Sequence, residues 1–345
     1  MNVLKIARTP GIRRGFVRVW PLAAMLLTQC IAGGAAMAQG AYPNRAITLI
    51  APYSVGGDAD LAARNFAAAA QRALGQGVLV LNKTGASGII GSALAIAAPP
   101  DGYTLLLGRP GSQSILPAIM PTMTKYKWDD YSFIGMLELN PYGCMVSAKS
   151  PYRTFDEFVR GLRERGKSMN FGTAGQLTTN DMGPRQLFNM LRLGEQSPTQ
   201  IPYKGTGEAT ASLVAGETDF ACGSIGTFYG LIKAGTLRAL MVTTPERMAG
   251  LPEVPTAREL GFPDMERIIG WSAVYAPPNL PDDVMARLAA AVKTVGDDPA
   301  WRKATEQSGS IPYIRSPTQT REFARGQFQL YRALGESLNL IDKPL

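Results

Sequence analysis

The sequence predicts an α/β protein of two lobes, each a mainly parallel sheet flanked by helices. From Ile47 onward, short apolar strand patterns alternate with amphipathic helical ones, the pattern of βαβ units. The chain has 345 residues and is 46% hydrophobic, enough to bury two lobes of ordinary size. A strand, a glycine-containing loop and a helix at 47–66 recur loosely at 168–188, one set for each lobe.

In order, strands are predicted at 47–51 (ITLIA), 78–81 (VLVL) and 103–108 (YTLLLG), with helices at 59–74 and 88–98 between them. The helix at 59–74 carries Ala62, Phe66, Ala69, Ala70 and Ala73 on one stripe, so it should lie on the sheet through small side chains. After the strand patterns FIGMLELN and YGCMVSA a second series follows: helix 154–165, strand 168–172, helix 182–192, strand IPYK, helix 206–215, strand 219–222, helix 226–233 and strand 237–244. Beyond IIGWSAVYAPP the tail is helical at 281–295, 298–307 and 318–337, and these helices are expected to return to the first lobe. Lobe 1 is then 39–140 with 272–345, and lobe 2 is 141–271.

Residues 1–38 differ in kind. Lys5, Arg8, Arg13, Arg14 and Arg18 precede the apolar run PLAAMLLTQCIAGGAAMA, which ends in Ala36-Met37-Ala38. Basic, then apolar, then small residues is the order of a cleaved secretory signal peptide, and the mature chain is expected to begin near Gln39. Arg13-Arg14-Gly15-Phe16-Val17 also resembles a twin-arginine signal, an alternative to the Sec route. Cys30 invites a lipoprotein reading, but Gln29 stands where that processing wants Gly or Ala. Five of the 35 basic residues fall in the leader, leaving 30 against 27 acids, a net charge of +3 in place of +8. Nucleic-acid binding thereby loses its electrostatic support. Cys144 and Cys222 remain. Export permits a disulfide, but both lie in apolar strand patterns where a buried thiol is the commoner state, so free thiols are expected.

The sequence contains no histidine, which excludes Ser-His-Asp triads, Cys-His pairs and histidine metal sites, and no cofactor or metal is expected. GLRERGKS at 161–168 fits the nucleotide-loop spelling G-x-x-x-x-G-K-S, but it sits in an amphipathic helical pattern, where Gly166 reads as a helix C-cap. No G-x-S-x-G elbow occurs, and Asp129-Asp130 and Asp282-Asp283 read as helix-start or surface acids. Lys83-Thr84-Gly85-Ala86-Ser87-Gly88 is either a second anion loop or a turn in which Ser87 caps the next helix.

The stretch PYSVGGDAD, 52–60, carries the functional signal. Glycines at a helix start commonly expose backbone N–H groups to an anion, yet this loop has two carboxylates of its own. Asp58 as N-cap and Asp60 in the first turn would satisfy the helix, leaving the N–H groups of Gly56 and Gly57 free for a ligand carboxylate. The counterpart TAGQLTT, 173–179, offers a second helix N-terminus, and if the lobes face each other the two converge on one cleft.

AYPNRAITLIAPYSVGGDADLAAR, LNKTGASGIIGSALAIAAPPDGYTLLLG, IPYKGTGEATASLVAGETDF, IKAGTLRALMVTTPERMAGLPEVPTARELG and GWSAVYAPPNLP together resemble the Bug-type solute-binding proteins of tripartite tricarboxylate transporters, in order and over nearly all of the mature chain. The resemblance implies a periplasmic, monomeric receptor with a two-lobed, type II-like Venus flytrap fold whose lobes are joined by crossing strands. It implies no catalysis, and closure on a small carboxylate that is handed to membrane permease subunits. It places Tyr53, Ser54, Gly56, Gly57, Asp58 and Ala59 opposite Thr173, Gly175, Gln176, Thr178 and Thr179, as a pincer on one carboxylate. Arg109, Ser112, Tyr203, Lys204, Gly223 and Ser224 complete the expected ligand set. Three positions depart from the family pattern. Gly223 stands where many members have an acid, which favours an unaminated ligand, a dicarboxylate or an aromatic acid. Asp58 and Ala59 replace a frequent Ser-Thr pair. Arg109 replaces a small polar residue, and either pairs with a second ligand carboxylate or points to solvent. Rival readings are an exported enzyme using Lys204 or Lys83 as base, and a sensor uncoupled from transport.

Overall fold

In the computed structural model, which describes residues 42–342, the predicted alternation resolves into two mixed sheets covered by helices. The leader and the expected start near Gln39 lie outside the described residues. In the first sheet β1 (Ile47–Ala51) is flanked by β2 (Val78–Asn82) and β3 (Thr104–Gly108), all parallel. Helices α1 (Asp58–Leu74) and α2 (Ile89–Ile96) make the crossovers. After α3 (Leu116–Ile119), β4 (Ser132–Asn140) joins the far side of this sheet.

The chain then passes directly into the second sheet through β5 (Tyr142–Ser147), α4 (Phe155–Arg165), β6 (Asn170–Thr173), α5 (Thr179–Met190), β7 (Thr199–Pro202), α6 (Thr206–Ala215), β8 (Phe220–Ser224), α7 (Ile225–Lys233) and β9 (Leu237–Val242). It returns with β10 (Gly270–Ala276), α8 (Asp282–Asp297), α9 (Pro299–Gln307), β11 (Ile311–Arg315) and α10 (Pro317–Ser337). The strand orders are β11-β4-β10-β3-β1-β2 and β7-β6-β8-β5-β9. Parallel pairing holds in the β2–β1–β3 and β7–β6–β8 parts, and antiparallel strands complete each sheet.

Local chemistry accounts for the element ends. Thr154 and Glu157 form a reciprocal capping box at α4, as Ser316 and Gln319 do at α10. Ile47, Leu49 and Ala51 of β1 share a core with Ala62, Phe66 and Ala70 of α1 and with Leu288 and Val292 of α8. The small alanines on α1 let the helix lie close to the sheet. The tail helices α8 and α10 pack on α1 and β4 respectively. Neither α3 nor β11 is marked in the sequence pattern. The latter is a half-exposed edge strand containing Pro312, without the apolar alternation that marks the others.

Cys144 and Cys222 correct the free-thiol expectation. They are register partners across the antiparallel pair β5–β8, with Cα atoms 4.0 Å apart, and form a disulfide. Seventy-eight residues separate them in sequence, so their pairing follows from the sheet order and not from the local pattern. Gly161 lies inside α4 and Gly166 is its C-cap, consistent with a helix and not a phosphate loop at 161–168. Among the described residues no helix is long and apolar enough to cross a membrane, and no cluster of three metal-ligating side chains occurs.

Candidate functional site

The loop from β1 to α1 is closed by its own acid. Gly57, not Asp58, is the N-cap of α1, with extended backbone and its carbonyl accepting the Leu61 N–H at 3.0 Å. Asp58 is the first helical residue. Asp60 turns back so that its Oδ2 accepts the Gly56 N–H at 3.0 Å and Arg64 Nε at 3.0 Å. The expectation that the Gly56 and Gly57 N–H groups are free for a ligand is therefore corrected: the helix's third residue consumes the first, and the second donates to the Ser54 carbonyl at 3.4 Å. Gly56 itself sits at φ +77°, a left-handed conformation that favours glycine.

Lobe 2 repeats the device. Asp181, the third residue of α5, accepts the Leu177 N–H at 2.9 Å and Arg185 Nε at 2.7 Å. Asp60-x-x-x-Arg64 and Asp181-x-x-x-Arg185 thus clamp the two helix-start loops by the same contacts. Burial pushes the Asp181 carboxyl up, against the pull of Arg185 and the Leu177 N–H. At the less enclosed Asp60 burial acts in the same sense, but the hydrogen bonds from Arg64, Gly56 and Asn82 outweigh it and hold the carboxyl low. The repeated spacing was present in the sequence and is the signal that reading missed.

The lobes meet backbone to backbone. A Cβ at Gly207 would lie 2.8 Å from the Val55 carbonyl oxygen and 3.1 Å from the Gly57 nitrogen. One at Gly205 would strike Ser54 Oγ. One at Gly111 would meet the Tyr53 hydroxyl at 2.6 Å and Thr178 Cγ2 at 3.2 Å, and one at Gly175 would meet Ser87 Oγ at 2.5 Å. Both helix-start loops therefore border the same contact. Ser54 Oγ, at this contact, and Asn180 Nδ2, in the first turn of α5, are buried without a hydrogen-bond partner. Asn180 presses on the α-carbon of Gly223, where a Cβ would collide with its amide. Asn180 was not among the sequence candidates, because the polar run TTND read as loop and α5 begins at Thr179 rather than near 182.

The structure brings Tyr53, Ser54, Gly57, Asp58, Arg109, Gly175, Thr178 and Ser224 to this contact, and Gly223 lies behind it against Asn180. Thr173 stands behind it, its Oγ1 exchanging hydrogen bonds with the Gly175 backbone. Thr179 is buried in the first turn of α5, and Ala59 belongs to the lobe 1 core. Ser112 supports Gly88 and Gln113 inside lobe 1. Ser87 does not cap the next helix. It sits at φ +53°, and its carbonyl accepts the Tyr53 hydroxyl at 2.9 Å. Gln176, Tyr203 and Lys204 line an outer groove of about 450 Å³ with Ser87, Leu116 and Met120, and Lys204 is exposed at its rim.

Arg109 departs from both expectations for it. It is buried, and its guanidinium pairs with Asp58, donates to Asn140 Oδ1 at 2.7 Å and to Ser272 Oγ, and reaches Ser224 Oγ at 3.5 Å. Asp58 also accepts from Thr206 Oγ1 at 3.1 Å, so this network ties lobe 1 to two elements of lobe 2. Asn140 Nδ2 and Ser272 Oγ in turn donate to Glu138 Oε1 at 2.9 and 3.0 Å. Burial pushes the Glu138 carboxyl above its ordinary value of 4.5, opposed by the Asn140 amide, Arg109 and Ser272. The folded protein then retains a proton that the unfolded chain has released, so this group's contribution to stability declines as pH rises above about 4.5. Glu138→Gln, which keeps an acceptor for both donors, is expected to flatten that decline in urea unfolding measured from pH 4 to 8. A profile parallel to the parent's would count against a raised Glu138.

The family model described as "Tripartite tricarboxylate transporter family receptor" matches residues 62–340. A relative from Agrobacterium vitis, encoded in the ttuE-ttuC' intergenic region, is 34% identical over 289 residues, covering 84% of this chain and 82% of its own length. The periplasmic binding protein BugD superposes with a TM-score of 0.83 at 25% identity, covering 88% of this chain and all of its own. MatC from Rhodopseudomonas palustris, solved with bound malate, superposes with a TM-score of 0.81 at 26% identity, covering 85% and 100%.

Proposed function

Because the chain belongs to the tripartite tricarboxylate transporter receptor family, a family of periplasmic solute-binding proteins and not of enzymes, we propose that it captures a small organic carboxylate between its lobes and delivers it to a membrane permease. One observation carries this reading. Two clamped helix N-termini border a single contact, and a donor beside each, Ser54 Oγ before α1 and Asn180 Nδ2 in the first turn of α5, is buried yet unpartnered. A carboxylate is the complement of such an arrangement, since helix-start partial charges and amide and hydroxyl donors all favour an anion. The malate held by MatC supports the same ligand class, and dicarboxylates and aromatic acids are the two kinds the sequence favours. Export through the 1–38 leader and periplasmic capture belong to this proposal. Closure follows from differential affinity, because a ligand touching both lobes stabilises the closed arrangement alone.

A thermal-shift screen of the purified protein against amino acids, aliphatic and aromatic carboxylates and citrate tests it. At a hundredfold excess over the dissociation constant the ligand should add about 2.7 kcal/mol of stability. Absence of a shift with every acid would remove the carboxylate from the reading. Asn180→Ala and Ser54→Ala are each expected to weaken binding about tenfold, roughly the value of one hydrogen bond to a charged group. Gly207→Ala should also cost about tenfold, by holding the lobes apart. Calorimetric titration reads all three, and unaltered affinity in Gly207→Ala would show that the lobes need not approach so closely.

A further inference from the structure

We infer that the ligand is a monocarboxylate with an apolar body, and that Asp58 is the residue that excludes a second carboxylate. The inference rests on the carboxylate reading above and narrows it, setting aside the dicarboxylates that the sequence also favoured. Arg109 is the only buried cation among the described residues. Its charge is already matched by Asp58, a carboxylate of this chain standing at the first turn of α1 and accepting from Thr206 at the first turn of α6. The Nη donors not used by Asp58 go to Asn140, Ser272 and Ser224. Buried Glu138 adds a further acid to the same network. The helix-start loops with Ser54 and Asn180 answer one carboxylate, and among the described residues no second buried cation is left to answer another.

The outer groove agrees with this. Leu116, Met120 and Met123 line it, with Glu208 and the exposed Lys204 at the rim, and Glu208 accepts the Lys204 backbone N–H at 3.1 Å. A second ligand carboxylate would lose water against methionine and leucine without gaining a buried cation, which is costly. To pair with the Nη2 of Arg109 it would have to displace Asp58.

The test is calorimetric titration with acid pairs matched in length, hexanoate against adipate and 4-methylbenzoate against terephthalate. The parent protein is expected to bind the monoacid of the better pair about tenfold or more tightly than its diacid. Asp58→Asn keeps the shape and frees the charge of Arg109, so the preference should move toward the diacid by about tenfold. Asp58→Asn with Arg109→Gln should restore the monoacid preference, with circular dichroism melting as the check on folding. Equal or tighter diacid binding by the parent overturns the inference and leaves the carboxylate reading standing. An Asp58→Asn variant that folds but keeps the parent's ratio also overturns it. Should that variant unfold, the parent comparison alone decides. Failure of all four acids and of the wider screen overturns the carboxylate reading and this inference with it.

Discussion

Arg109→Ala is expected to lower the free energy of unfolding by about 3–5 kcal/mol, the cost of breaking a buried ion pair from one side. The side chain is 4% exposed and Asp58 is 12% exposed, so little water is at hand to replace the lost donors. Truncation strands the Asp58 carboxylate between two lobes and leaves the Asn140 and Ser272 oxygens without the guanidinium. The effect should be visible as a lower urea midpoint at unchanged slope. Asp58→Asn in the same background should recover part of the loss, because the stranded charge disappears while the amide still accepts from Thr206. A loss below about 1 kcal/mol for Arg109→Ala would place the pair among solvent-screened ones and contradict its burial.

Replacing both Cys144 and Cys222 by alanine is expected to cost roughly 4 kcal/mol. The link closes a sequence separation of 78 residues, and in the chain-entropy account most of its value lies in restricting the unfolded state. Both residues are fully buried, so some packing loss adds to this. Urea unfolding of the variant beside reduced and oxidised parent protein separates the two contributions. The oxidised parent should also show no reactive thiol from these two residues when denatured. Midpoints that coincide for variant and oxidised parent would mean that the link does not support the fold.

Much of the architecture was legible because the informative signals are local. The apolar run 47–51 gives β1 within its observed bounds, and the alanine stripe gives α1 within one residue. The pairing of the two helix-start loops was also visible, as a loose repeat. What could not be read depends on positions distant in sequence. Arg109 meets Asn140, Ser272 and Ser224 only because β3, β4, β10 and β8 end at one place. Cys144 meets Cys222 because β8 lies beside β5 in the sheet. At shorter range the error was one of register: moving the N-cap from Asp58 to Gly57 turns Asp58 from a helix cap into the partner of Arg109, and makes Asp60 the loop's clamp.

At Gly57 and Gly207 the lobes touch through peptide groups alone, with no flexible side chain interposed. Main-chain contact of this kind behaves as a mechanical end-stop. In the proposed closure, the travel of one lobe toward the other would finish at a separation set by bond geometry and not by the molecule enclosed. Any membrane partner that inspects the outer surface would meet the same profile whichever cargo is inside, so recognition of the loaded receptor can be strict while the choice of cargo evolves independently in the interior.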